Sequence, residues 1–124
     1  MDDPDIIEHA IRGDLKKVEE CITNGDDINV TYSNDSTALM WASVRGGYPA
    51  VVTSLIAHQA DLNVTDNWGW SALMWASYNG YVECVKVLIQ NQANLLVKST
   101  KDGSGIKKGS SALDIAKRMN IVSS

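Results

Sequence analysis

At 124 residues, with 44% hydrophobic and 21% charged side chains, the chain has the size and make-up of one folded domain. Two cysteines are too few for a disulfide framework, and no apolar run approaches the length of a membrane span. The net charge of −4 argues against nonspecific nucleic-acid binding, which needs clustered Lys and Arg facing phosphate.

The start, Met1-Asp2-Asp3-Pro4-Asp5, is acidic and has neither the basic nor the apolar region of a secretory signal. A reducing intracellular compartment, cytoplasmic or nuclear, is therefore expected. Residues 5–24 predict a helix pair. Ile6, Ile7, Ala10 and Ile11 mark one helix, and Leu15, Val18, Cys21 and Ile22 the next, with Gly13-Asp14 as the turn. Charged residues cover the outside of this pair, as on the terminal unit of a stacked array. Cys21 and Cys84 both fall on apolar helix positions. They are expected to be reduced, buried and slow to react.

Residues 26–36 alternate in polarity through Asp27-Ile28-Asn29-Val30-Thr31-Tyr32, which predicts a short extended arm. Thr37-Ala38-Leu39-Met40-Trp41-Ala42-Ser43 follows. It returns almost unchanged as Ser71-Ala72-Leu73-Met74-Trp75-Ala76-Ser77, and more weakly as Ser111-Ala112-Leu113-Asp114-Ile115-Ala116-Lys117. Self-similarity of this kind makes the repeat, rather than the domain, the structural unit. In each copy a Ser or Thr can cap a helix, and Leu and Ala three apart share one helical face. Gly46-Gly47 or Gly80 then ends that helix, and Pro49 suits the start of a second. The second helices carry Val51, Val52, Leu55 and Ile56, or Val82, Val85, Leu88 and Ile89. Their tails also recur. Asn24-Gly25-Asp26-Asp27-Ile28-Asn29 is related to Gln59-Ala60-Asp61-Leu62-Asn63 and to Gln92-Ala93-Asn94-Leu95-Leu96.

These motifs resemble the ankyrin repeat, whose family pattern runs Thr-Pro-Leu-His-x-Ala-Ala, Gly-His, an apolar helix and Gly-Ala-Asp-Val-Asn. The resemblance covers roughly residues 5–119. Here Ala38 and Ala72 replace the proline, and Met40 and Met74 the histidine. Gln59 and Gln92 replace the terminal glycine. It implies an all-α solenoid of about three and a half repeats with short β-hairpin fingers, forming a single domain over residues 1–124. The units are an N-terminal cap at 5–33, repeats at 34–66 and 67–98, and a partial repeat at 110–124.

The segment 98–110 is longer than a regular repeat allows. It holds four lysines and three glycines and is read as a solvated loop, with a basic arm for an acidic partner as the second reading. The last unit has room for one helix, to about Asn120. Either the protein ends on a half-repeat or the chain is a piece of a longer one. The acidic front and basic end also predict weak head-to-tail association of otherwise monomeric chains.

Catalytic patterns are missing. His9 and His58 stand about one and a half repeats apart with no metal-ligand spacing around them, and no serine lies in a nucleophile elbow. No enzyme activity, metal or cofactor is expected. The family resemblance implies a protein–protein interaction module, an adaptor, inhibitor or targeting domain. Its partner is another protein or peptide, not nucleic acid or membrane. The contact positions it implies are Asn34, Ser36, Arg45, Asn67, Trp68, Trp70, Tyr78, Asn79 and Lys98, on finger tips and inner helices. Trp68 and Trp70 stand out, because one tight hairpin has little core to hide two indoles. Trp41 and Trp75 are read as packing between repeats.

Two further resemblances bear on function. Trp70-Ser71-Ala72-Leu73-Met74-Trp75 is similar to part of the methyl-lysine cage in the ankyrin domains of euchromatic histone methyltransferases. Tyr78 stands where that cage has its acid. A reader of a modified peptide such as methyl-lysine is therefore a second reading, and a non-catalytic regulatory segment of a larger enzyme a third. Asn63, in Leu55…Asp61-Leu62-Asn63, resembles the asparagines that hydroxylases modify in this family.

Overall fold

The computed structural model describes residues 4–44, 48–101 and 106–118. Among these residues there are seven helices and no strand. They are α1 (Asp5–Arg12), α2 (Leu15–Thr23), α3 (Ala38–Val44), α4 (Pro49–Ala57), α5 (Ala72–Asn79), α6 (Val82–Gln90) and α7 (Ala112–Arg118). The helices pair as α1–α2, α3–α4 and α5–α6. Across units α1, α3, α5 and α7 pack in one row, and α2, α4 and α6 in another. The first row uses small residues at its contacts: Ala10, Ala38, Ala42, Ala72 and Ala76 are all buried, so neighbouring backbones approach closely. In the second row Val18, Cys21, Val51, Val52, Leu55, Cys84, Val85 and Leu88 face the core. Val82 and Ile89, predicted on that apolar face, are 41% and 38% exposed and lie on its solvent side.

The repeated Ser/Thr caps its helix each time. Thr37 Oγ1 accepts from Met40 N at 3.3 Å and Ser71 Oγ from Met74 N at 3.3 Å. The weaker copy adds an acid. Asp114 Oδ2 accepts from both Ser111 N and Ser111 Oγ at 3.0 Å, while Asp114 N donates to Ser111 Oγ at 3.3 Å. The Ser111 backbone bond, then its hydroxyl bond, hold this carboxyl below its ordinary range, with Lys117 and Lys98 adding to the effect. A lowered value means the cap stabilises α7 above the ordinary carboxylate range and fades as pH falls through the lowered one.

Each second-row helix ends on a left-handed residue that lets two amides turn back onto the last turn. Gly25 has φ +88°, and its place is taken by Gln59 at +70° and Gln92 at +69°. The bonds are equivalent: Asp26 N to Cys21 O, Ala60 N to Leu55 O and Ala93 N to Leu88 O, each 3.0 Å. A glutamine Cβ is strained in that conformation, and glycine is not. Gln59→Gly and Gln92→Gly should each raise stability by about 0.5–1 kcal/mol, the relief being partly offset by the freer unfolded chain. A rise in the urea midpoint at unchanged slope is the check; a fall in either variant contradicts it.

The tails that follow are joined by asparagines. Asn29 Oδ1 accepts from Asp61 N, and Asn63 Oδ1 from Asn94 N, both at 2.8 Å. Asp27, Asp61 and Asn94 each bond the amide two residues on. Leu96 stands where the next asparagine would be and is 67% exposed.

The third finger departs from the solvated loop expected of it. Ser99 N donates to Ser110 O and Gly109 N to Ser99 O, both at 2.8 Å, and Ser99 Oγ to Lys107 O at 3.1 Å. Lys98 and Ser111 pair as an isolated antiparallel bridge. Ile106 is 3% exposed. One apolar residue within a lysine- and glycine-rich run is enough to anchor it. Residues 102–105 lie outside the described residues. Cys21 and Cys84 are buried, and burial pushes both thiols up to about 11. For Cys21 a hydrogen bond with Asp26 and the nearby acids add to this.

Candidate functional site

The second finger, residues 61–70, is built around one carboxylate. Asp66 Oδ1 accepts from Trp68 N at 2.9 Å and from Trp70 N at 3.0 Å. Its other oxygen accepts from Trp75 Nε1, on α5, at 2.8 Å. The backbone closes the same turn, with Gly69 N on Asp66 O at 2.9 Å and Asp66 N on Trp70 O at 3.0 Å. An aspartate that opens a turn and collects the amides two and more residues on is ordinary turn chemistry. Here the same group also fixes an indole nine residues away.

Neighbouring fingers are tied at their tips. Asn67 N donates to Asn34 O at 3.0 Å, and Thr100 N to Trp68 O at 2.7 Å. The third finger thus lies directly against the second. Gly69 has φ +77°, and a Cβ there would stand 2.7 Å from Thr100 N, so both the turn and the contact require glycine. In the first finger Ser33, Asn34 and Asp35 all have positive φ, at 43°, 63° and 60°. Three successive left-handed residues without a glycine are strained, and such strain is held only by surrounding contacts.

The indoles stack in sequence. Trp70 packs on Trp75 with ring centroids 4.4 Å apart, and Trp75 lies 6.1 Å from Trp68. Tyr78 meets Trp70 edge-on at 5.6 Å. Between the first two fingers and the first helix row is a cavity of about 180 Å³. Met40, Trp41 and Val44 of α3 and Trp75 of α5 line it on the helix side. Asn34 and Ser36 of the first finger and Asp66 and Trp68 of the second complete the wall.

The expected contact residues divide accordingly. Asn34, Ser36 and Trp68 line the cavity, and Asn67 is exposed beside them. Trp70 is a correction: it is 0% exposed and supports the site from beneath rather than facing a partner. The hairpin has no core of its own, but its last residue is also the entrance to α5, and that puts the ring under Trp75. Tyr78 is half-buried against Trp70 and does not reach the cavity wall. Asn79 is exposed at the end of α5, its Nδ2 donating to Trp75 O at 2.9 Å. Lys98 is exposed on the third finger. Arg45 lies outside the described residues. Asn63 is exposed, and its side-chain oxygen is engaged by Asn94 N. Trp41 and Trp75, assigned to packing between repeats, are half-buried and line the cavity as well. Asp66 was missed. Its signal was its place two residues before Trp68 in a turn of Asp-Asn-Trp-Gly. Among the described residues no group of His, Cys, Asp and Glu could hold a metal ion, and no helix is long and apolar enough to cross a membrane.

A search of curated proteins finds no match. A family model of ankyrin repeats in three copies matches residues 6–99. Ankyrin repeats are generally protein–protein interaction modules and are typically non-catalytic. The match spans most of the chain and coincides with the two rows of paired helices, and the chain belongs to the ankyrin-repeat family.

Proposed function

We propose that this protein recognises another protein or a peptide at the face where its fingers meet the first helix row. The observation that carries the reading is Trp68. Its indole is 38% exposed at the wall of a preformed apolar cavity, on a finger fixed from both sides by hydrogen bonds. Tryptophan in such a setting is the residue type that most often dominates an interface. A rigid tip also loses little freedom on binding. The test is a displayed peptide library selected against the natural protein. The selected peptides should bind Trp68→Ala at least about 30-fold more weakly, the loss of a hot spot of about 2 kcal/mol. Undiminished binding to that variant would overturn the reading.

A second reading, of a modified peptide such as one bearing methyl-lysine, is favoured by what surrounds the cavity. Trp41, Trp68 and Trp75 line it with indoles, and Asp66 adds a carboxylate. Aromatic walls with one negative charge attract an alkylated cation. The acid comes from the finger before the helix, not from position 78, where Tyr78 stands. An array of lysine-methylated and unmethylated peptides separates the two readings. Binding that requires the methyl groups supports the second.

A further inference from the structure

We infer that the partner bound at this face carries an acidic stretch beside the side chain that enters the cavity, and that lysines of the third finger hold that stretch. This rests on the first reading above and adds the chemistry of the partner to it. The charge of the finger row changes sign along its length. The first two fingers bear Asp35 and Asp66, whereas residues 98–111 carry four lysines against one aspartate, in a chain whose net charge is −4.

Order sets this finger apart from a solvated charge run. Ile106 and Ser99 are buried, and the Ser99 amide and hydroxyl tie the two sides of the finger together. Thr100 N donates to Trp68 O at 2.7 Å, which sets Lys101 one residue from the contact with the backbone that carries the exposed indole. Lys98, Lys101, Lys107 and Lys108 are all exposed. Arg12 and Lys86 each pair with an acid a turn away, Glu8 and Glu83. Lys101 and Lys107 form no ion pair among the described residues. Like charges gathered on one hairpin repel each other, and an acidic partner replaces that repulsion with attraction. Because the finger is already ordered, little freedom is lost on docking. A long phosphate backbone suits the row poorly, since it would also cross Asp35 and Asp66. A short acidic stretch meets only the third finger. Packed helices repeat about every 8–10 Å, the third finger lies about one and a half repeats from the cavity, and an extended chain advances about 3.3 Å per residue. The acids should therefore stand roughly three to five residues from the anchoring side chain.

The experiment selects a displayed peptide library on the whole chain and measures association rates of the selected peptides. Those peptides should carry Asp or Glu at that spacing to one side of an apolar residue. Their association rate should fall at least about tenfold as salt rises from about 0.05 M to about 0.5 M. The double variant Lys101→Glu/Lys107→Glu should lower the rate by at least about tenfold at the lower salt, and Lys101→Arg/Lys107→Arg should restore it. An unchanged Trp75 indole N–H resonance in both variants shows that the cavity is intact. Peptides that depend on Trp68 but show no acidic bias, or that ignore both salt and the charge reversal, overturn this inference and leave the reading beneath it standing. Peptides that bind Trp68→Ala undiminished, or a library that yields none, overturn both. A mixed-sequence single-stranded DNA oligonucleotide, or vesicles of phosphatidylserine, binding as tightly as the selected peptides would make the finger a general polyanion surface and overturn the acidic protein partner.

Discussion

Trp70→Ala should lower the unfolding free energy by about 3–5 kcal/mol, the range for truncating a buried aromatic residue. Trp70 is 0% exposed and touches the rings of both Trp75 and Tyr78. Its removal opens a void under the wall of the cavity, so the site should loosen with the fold. Trp70→Phe separates volume from polarity. The indole Nε1 is buried and has no acceptor among the described residues, so phenylalanine also removes an unsatisfied donor. That variant should lose only about 1–2 kcal/mol. Denaturant melts of the two variants provide the measurement. A loss below about 1 kcal/mol in Trp70→Ala would mean that the ring is not packed as described. Trp68→Ala should leave stability nearly unchanged, since its ring is partly in solvent.

Asp66→Ala should cost about 2–3 kcal/mol and also disable the cavity. The substitution leaves three donors without their acceptor, one of them the amide of buried Trp70. Trp75 loses the bond that fixes its ring, and Trp68 loses the turn that carries it. Asp66→Asn keeps one carbonyl oxygen. It can serve the finger amides or the Trp75 indole, but not both. Its loss should fall between that of alanine and the natural residue. The Trp75 indole N–H resonance should move in both variants, and slow amide exchange at the finger tip should be lost. An unchanged Trp75 resonance in Asp66→Ala would show that the carboxylate does not hold the indole.

The repeat was legible because its signals are local and redundant. Three copies of one Ser/Thr-Ala-Leu cap and three related tails fix the helix pairs without reference to anything distant. Individual burial was less legible. Trp68 and Trp70 are two residues apart in one turn, yet one is 38% exposed and the other 0%. What separates them is contact with α5, which follows them in the chain, and local alternation does not encode that. Asp66 could be read as a turn residue but not as the group that holds Trp75, for a related reason. Aspartate is common in turns, and only the fold places an indole N–H beside its second oxygen. The third finger looked solvated because composition averages over its lysines and glycines, while its position is set by Ile106 and by one amide on Trp68 O.

The asparagine ladder has a consequence for how the chain comes apart. Asn29 and Asn63 each couple one tail to the next, whereas Leu96 has no side-chain oxygen to offer the unit beyond. In a linear array, cooperativity is the sum of such nearest-neighbour terms. The units from α1 to α6 therefore open together, while among the described residues α7 is held by its packing on α5, by the third finger and by one long backbone bond, Leu113 N to Leu95 O at 3.4 Å. The last unit can detach as a separate low-energy foldon, leaving the cavity between the first two fingers intact.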